Sequence, residues 1–337
     1  MNAILVTGAS GFVGRAVCQC ALNRGIYIKG SHRSAGSGML VPSGVERFEI
    51  PSVDSRTDWS KALSGIEVVV HLAARVHMVE DTARDPLSIY REVNVAGSEH
   101  LARMAAAAGV KRFVYMSTIK VNGEETRSEP FCEADSPRPE DAYAISKWEA
   151  EQALHRVARD TGLSVVILRP PLVYGKGVGA NFLRVLAWVR RRIPLPLASV
   201  SNRRSLIYVE NLAHAVVDCT SHPAAPGGIY LVRDDESVST PELIGRIASL
   251  MKLRDRTFSF PPGLLRLAAR AVGRSAEVNR LLRSLVIDDR KIRSEIGWLP
   301  RYSLAQGLRE TVDWYLMGCP VAGGDGPQSR EQICCNV

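Results

Sequence analysis

Three glycines, each three residues from the next, stand in Thr7-Gly8-Ala9-Ser10-Gly11-Phe12-Val13-Gly14, directly after the apolar run Ile4-Leu5-Val6. Few folds send a strand through so tight a turn into a helix. Glycine permits the turn and lets another backbone come close, and the helix start offers unpaired N–H groups and a positive dipole end to an anion. The spacing is G-x-x-G-x-x-G rather than G-x-G-x-x-G, but the physics carries over. A strand before it and a helix after it are the context required for holding a dinucleotide pyrophosphate. Gly8, Ser10, Gly11, Phe12, Val13 and Gly14 are therefore candidate cofactor contacts.

Downstream, β-branched runs alternate with helical patterns. Strands are expected at Ile26 to Ile28, Phe48-Glu49-Ile50, Val68-Val69-Val70-His71-Leu72, Phe113-Val114-Tyr115-Met116 and Val165-Val166-Ile167-Leu168. A single long helix is expected from about Asp85 to Ala107, with a stop at Gly109. The alternation predicts an α/β fold with a doubly wound parallel (Rossmann) sheet covered on both faces. After Tyr174, frequent Gly and Pro (Gly175, Gly177, Gly179, Pro194, Pro196) predict a smaller, discontinuous C-terminal lobe over the carboxyl edge of the sheet. The expected division is 1–175 with 205–232 for the nucleotide domain, 176–204 with 233–319 for the substrate lobe, and a disordered tail at 320–337.

With 337 residues, 46% of them hydrophobic, the chain can bury a sizeable core. No apolar run is long enough to span a bilayer and no secretory signal opens the chain, so a cytoplasmic protein without membrane partners is expected. Seven cysteines without CxxC spacing point to free thiols and no metal site. Cys334-Cys335-Asn336-Val337 only faintly echoes a prenylation box. The net charge of +8 comes from scattered basic residues, which suits an anionic small molecule better than nucleic acid.

Tyr143-Ala144-Ile145-Ser146-Lys147 supplies chemistry. On a helix, residues four apart share a face. A free phenol titrates near ~10, and an ammonium beside it favours the phenolate; a shift of about three units needs roughly 4 kcal/mol. The expectation is that Lys147 lowers the pKa of Tyr143. After the second strand, Lys29-Gly30-Ser31-His32-Arg33-Ser34 holds no acid for a ribose 2′-hydroxyl. Arg33, with His32 or Ser31, is placed for a 2′-phosphate, so NADP(H) is the expected preference and NAD(H) the alternative. Asp54 is placed to meet the adenine amino group.

Together these segments resemble the extended, nucleotide-sugar-modifying branch of the short-chain dehydrogenase/reductases, the NAD-dependent epimerase/dehydratase family, from Met1 to about Tyr315. His71-Leu72-Ala73-Ala74 resembles the strand end flanking the cofactor, Asn94 the structural active-site asparagine, and Arg169-Pro170-Pro171-Leu172-Val173-Tyr174-Gly175 the loop at the nicotinamide. Counting back from Gly123 in Met116-Ser117-Thr118-Ile119-Lys120-Val121-Asn122-Gly123 gives Thr118 the catalytic hydroxyl position, with Ser117 beside it. The resemblance thus implies Tyr143, Lys147 and Thr118 as the catalytic set. It adds Leu72, Ala73, Ala74, Asn94, Ser117 and Pro170 to the cofactor contacts.

Asn181, Arg204 and either Arg280 or Arg283 resemble the contacts of this branch to a sugar-linked diphosphate; a UDP-sugar is the implied partner, and homodimerisation is common in the family. Lys120 departs from the better-known 4-epimerases, and with Arg75-Val76-His77 it resembles a subgroup that includes UDP-N-acetylquinovosamine 4-ketoreductases. Contact with the diphosphate and exposure to solvent are both open for Lys120. Reduction at C4 of a UDP-4-keto-6-deoxy-N-acetylhexosamine is the expected reaction. UDP-glucose or UDP-GlcNAc 4-epimerisation with bound NAD, and a non-catalytic NADP sensor, are the alternatives.

Overall fold

The computed structural model describes residues 3–76, 85–271, 273 and 275–318; His77 and the tail at 320–337 lie outside them. In chain order the elements of the first part are β1 (Ile4–Thr7), α1 (Phe12–Leu22), β2 (Ile28–His32), α2 (Ala35–Gly38), β3 (Glu46–Glu49), α3 (Ser60–Leu63), β4 (Val68–His71), α4 (Pro86–Tyr90), a π-helical segment (Arg91–Gly97), α5 (Ser98–Ala107), β5 (Arg112–Met116), a 3₁₀ turn (Ile119–Val121), α6 (Ala142–Thr161) and β6 (Ser164–Arg169). There follow β7 (Leu172–Tyr174), α7 (Ala180–Arg190), β8 (Arg204–Tyr208), α8 (Val209–Ser221), β9 (Ile229–Leu231), β10 (Ser237–Val238), α9 (Thr240–Leu250), α10 (Pro262–Ala271), α11 (Ser275–Leu282), α12 (Arg290–Ile296) and α13 (Leu304–Gly318).

Seven strands form one sheet in the order β3-β2-β1-β4-β5-β6-β9, every pairing parallel. Parallel strands need helical crossovers, which cover both faces, so the central strands are apolar throughout. The pleat sorts them: Val6, Val68, Val70 and Val114 join the core under α1 and α8, whereas Leu5, Val69, Phe113 and Tyr115 join the core under α5 and α6. The order reverses between β1 and β4. Their carboxyl ends therefore open the crevice in which such sheets bind ligands.

Two strands depart from the expected positions. β2 begins at Ile28, where the apolar run ends, and its Ile-Lys-Gly-Ser-His residues are all buried. Lys29 enters because its ammonium donates to the carbonyls of Lys61 and Ser64 at 3.3 and 3.5 Å. β3 is an edge strand of alternating charges at 46–49. The long helix also differs. Asp85 caps it, accepting the Ser88 N–H, and Pro86 opens it, but residues 91–97 are π-helical and interrupt the α-helix.

A three-stranded sheet, β10-β8-β7, stands apart from the seven-stranded one, and residues of α7, α9, α12 and α13 share the core that lies under α1 and α8. One buried carboxylate fastens β7, β8 and α8 together: Asp234 accepts from the Tyr174 hydroxyl (2.7 Å), the Asn211 amide (2.8 Å) and the Tyr208 backbone (2.9 Å). Burial raises its pKa to about 6.

Candidate active site

The glycine turn has the shape its sequence requires. Gly8 has φ +70°, and a β-carbon there would lie 3.0 Å from the Ala73 nitrogen; one on Gly14 would lie 2.0 Å from the Gly8 carbonyl oxygen. Helix α1 has Gly11 as its N-cap, no capping side chain and no acid in its first turn, so its leading N–H groups face the crevice chemically unopposed. The opposite wall is stapled by Thr7, whose Oγ1 accepts from the backbone N–H groups of Leu72 and Ala73 at 3.2 Å each. The Thr7 hydroxyl then donates to His71 Nδ1 (2.7 Å), leaving Nε2–H to donate to Ser98 (2.8 Å). Burial pulls the His71 pKa down to about 3, so the ring is neutral. A cradle this narrow, with bare amides and no carboxylate, fits a pyrophosphate.

Helix α6 starts at Asp141, whose Oδ1 accepts the Ala144 N–H at 2.7 Å, and stops at Gly162 with φ +78°. Tyr143 is half-buried and Lys147 buried. The Tyr143 ring meets Tyr90 edge-on at 6.3 Å, and the Lys147 ammonium lies 4.2 Å from the centre of the Tyr115 ring. Burial pulls Lys147 down to about 7, partly opposed by Glu151. Tyr143 moves opposite to the expectation: burial, then Asp141 and Tyr90, push the phenol up. In this state desolvation outweighs any pull from Lys147, and Tyr143 is a protonated acid.

Asn94 lies in the π-helical segment and is buried. Its amide donates to Ser146 Oγ (2.9 Å) and the Arg75 carbonyl (3.0 Å), and its oxygen accepts the Arg75 N–H (2.8 Å). Ser146 in turn donates to the Tyr143 carbonyl at 2.7 Å. The segment at 72–75 and the tyrosine helix are thus held by one amide.

Beneath them lies a network that sequence reasoning missed. Arg169, 1% exposed, donates through Nε (3.0 Å) and Nη2 (2.5 Å) to Glu151 and through Nη1 to Asn122 (2.9 Å). Ser117 donates its hydroxyl to the same Glu151 carboxylate. Tyr143, Lys147 and Glu151 recur every four residues, so one face of α6 carries the phenol, the ammonium and the buried carboxylate. That i, i+4, i+8 spacing was the available signal.

Thr118 caps the 3₁₀ turn after β5, accepting the Lys120 N–H at 3.3 Å. The Lys120 ammonium is not free in solvent: it holds Glu124 (2.9 Å) and Asp141 (2.5 Å). Pro170 is buried, its carbonyl accepting the Ile119 N–H. Arg204 is half-buried and donates to the carbonyls of Arg280 (2.6 Å) and Arg283 (3.2 Å), while Arg283 pairs with Glu125 at 3.4 Å. Asn181 is exposed in the first turn of α7. Arg33 is exposed just past β2; His32 instead lies under Gly38, bonded to the Ser34 carbonyl. Asp54 is bound into its own turn by Ser52, Arg56 N–H and Thr57, which lowers its pKa. Among the described residues no helix is long and apolar enough to cross a membrane, no group of ligating side chains could hold a metal, and Cys18, Cys20, Cys132 and Cys219 are free.

A dinucleotide cradle at a Rossmann switch point, facing a Tyr-x-x-x-Lys helix and a strand-end threonine, defines an NAD(P)-dependent enzyme acting on an alcohol or carbonyl. Residues 4–232 match the family model described as NAD dependent epimerase/dehydratase family, and the chain belongs to that family. A Vibrio cholerae relative named UDP-glucose 4-epimerase is 38% identical over 321 residues, 94% of this chain and 96% of the relative. Among solved structures, a UDP-glucose 4-epimerase with UDP-glucose from Thermotoga maritima superposes with a TM-score of 0.76 at 22% identity, covering 94% of this chain and 99% of that one. MoeE5 in complex with UDP-glucose and NAD gives 0.76 at 25% identity, covering 94% and 99%.

Proposed function

We propose that the protein carries out NAD(P)-dependent redox chemistry at C4 of a UDP-activated hexose, with reduction of a UDP-4-keto-6-deoxy-N-acetylhexosamine as the net reaction. The observation that carries this direction is the end of β2, where Lys29-Gly30-Ser31-His32-Arg33-Ser34 holds no carboxylate for a ribose 2′-hydroxyl and Arg33 stands exposed, which suits a cofactor drawn from a reduced, exchanging pool. The nicotinamide, when bound, supplies or accepts the hydride. Tyr143 then delivers its proton to the forming C4 alkoxide, and Thr118 hydrogen-bonds the same oxygen. Lys147 holds a positive charge or a donor next to the tyrosine, according to pH. Gly8–Gly14, Leu72–Ala74, Asn94, Ser117 and Pro170 would frame the dinucleotide, with Arg33 at a 2′-phosphate and Asp54 at the adenine. Asn181, Arg204, Arg283 and Lys120 are the candidate residues around the sugar diphosphate. Arg204 would exchange carbonyl partners for phosphate oxygens.

The second reading is 4-epimerisation with retained NAD. It is favoured by the 38% identical relative named UDP-glucose 4-epimerase and by neighbours bound to NAD. Two assays separate them: NADPH oxidation with a UDP-4-keto-6-deoxy-hexosamine, and interconversion of UDP-GlcNAc and UDP-GalNAc without added cofactor. Turnover only in the second overturns the first choice. Tyr143→Phe should lower either turnover by about 10²–10⁴-fold with cofactor affinity unchanged.

A further inference from the structure

Lys120 stands two residues beyond Thr118, and its ammonium is shared by two carboxylates from different segments. One is Glu124, at the far side of the same turn. The other is Asp141, which also caps α6 through its second oxygen, two residues before Tyr143. All three side chains are about three-quarters buried or slightly more, with 27%, 19% and 25% exposure, so the interaction is less screened than at an open surface.

We propose that Lys120 is a positioning residue for the proton-transfer pair: it ties the turn carrying Thr118 to the N-cap of the helix carrying Tyr143 and screens the tyrosine from the Asp141 carboxylate. The proposal rests on the assignment of Tyr143 as the proton-transferring group. Charged and titratable groups facing Tyr143 are Asp141 and Lys147 from α6, Tyr90 from α4 and Tyr115 from β5. Of these, Asp141 is the anion, and Lys120 is the cation bonded to it. Without Lys120 two carboxylates would face each other across the joint, and Asp141 would act more strongly on the phenol. Glu124 also acts on Arg204, favouring its charged form against burial. The same clamp therefore links the proton donor's helix to the proposed phosphate arginine.

The test is a tyrosinate titration by ultraviolet absorbance on the NAD-loaded full chain, in which the positive nicotinamide ring would oppose the burial that raises the ligand-free phenol. Subtracting the Tyr143→Phe counterpart of each variant isolates Tyr143. Lys120→Met should raise the Tyr143 midpoint by about one pH unit, a tenfold change in its ionisation constant, and Lys120→Arg should restore it. In an Asp141→Asn background, which keeps the cap but removes the charge, Lys120→Met should change nothing. An unchanged midpoint in Lys120→Met, a shift that survives Asp141→Asn, or no Tyr143 ionisation before the fold melts would each overturn the proposal. No sugar enters this titration, so failure of sugar turnover would refute the function proposed above and leave this result standing.

Discussion

Glu151→Gln keeps the size of the side chain and removes the charge that pairs with Arg169. Two of the Arg169 donors, at 3.0 and 2.5 Å, point at that carboxylate, while Nη1 is engaged by Asn122. A single amide oxygen satisfies one of the two, so an N–H and a full positive charge stay in a site that is 1% exposed. Breaking a buried pair from one side costs about 3–5 kcal/mol, and the retained bond places this variant near the lower bound, about 3 kcal/mol. An unfolding entropy near 2.1 cal/mol/K per residue gives about 0.7 kcal/mol/K for a chain of this length, so the melting temperature should fall by about 4 °C. Lys147 also loses the carboxylate that raises its pKa and drops below its present value of about 7. The decisive comparison is the double variant Glu151→Leu/Arg169→Met, which removes both charges and should recover most of the loss. Thermal unfolding of the three proteins is the assay. A Glu151→Gln melting point within about 1 °C of the parent, against the drop expected from a broken buried pair, or a double variant no more stable than the single, would refute the assignment of this pair as a buried ion pair.

Three further outcomes are expected. Gly14→Ala drives a β-carbon to 2.0 Å from the Gly8 carbonyl, and overpacking of about 1–3 kcal/mol should weaken reduced-cofactor binding about 10–100-fold in a fluorescence titration. Lys147 titrates at about 7 when folded and near ~10.4 when unfolded, so folding expels a proton between those values. Its contribution is most unfavourable below the folded pKa and is relieved as pH rises, by at most about 1.4 kcal/mol per pH unit; denaturant unfolding of the ligand-free protein at several pH values should show Lys147→Met lacking this slope. Arg33→Ala should weaken NADPH binding about tenfold and leave NADH unchanged, and equal losses for both would remove Arg33 from the 2′-phosphate.

Features set by local chemistry were readable in the sequence. The Thr7–Gly14 turn, the central strands Val68–His71 and Arg112–Met116, and the helix of Tyr143 follow from glycine spacing and apolar periodicity, and each lies where these rules put it or within two residues. What escaped depends on partners far along the chain. Lys29-Gly30-Ser31-His32 looks like a polar loop until the carbonyls of Lys61 and Ser64 receive the lysine. Arg169 was legible only as part of a loop and Glu151 not at all, because only the fold shows that they meet. The two options that Lys120 offered in sequence did not include its ion pair, since Asp141 lies 21 residues away. The upward shift of Tyr143 was hidden for a related reason: spacing reports the neighbouring lysine, not the depth of burial.

The π-helical segment has a consequence for how this chain tolerates changes of length. A π turn is an α-helix with one residue too many, so its ladder is one deletion away from regularity. Removing one residue between Arg91 and Gly97 would close the wide turn into regular α-helix and redirect the side chains it carries. Asn94 would then swing away from Ser146 and Arg75. Gly97 adds a second lock, because a β-carbon there would sit 2.8 Å from the Val53 carbonyl oxygen. This helix must keep its surplus residue, because the wide turn is what aims Asn94 at both of its partners.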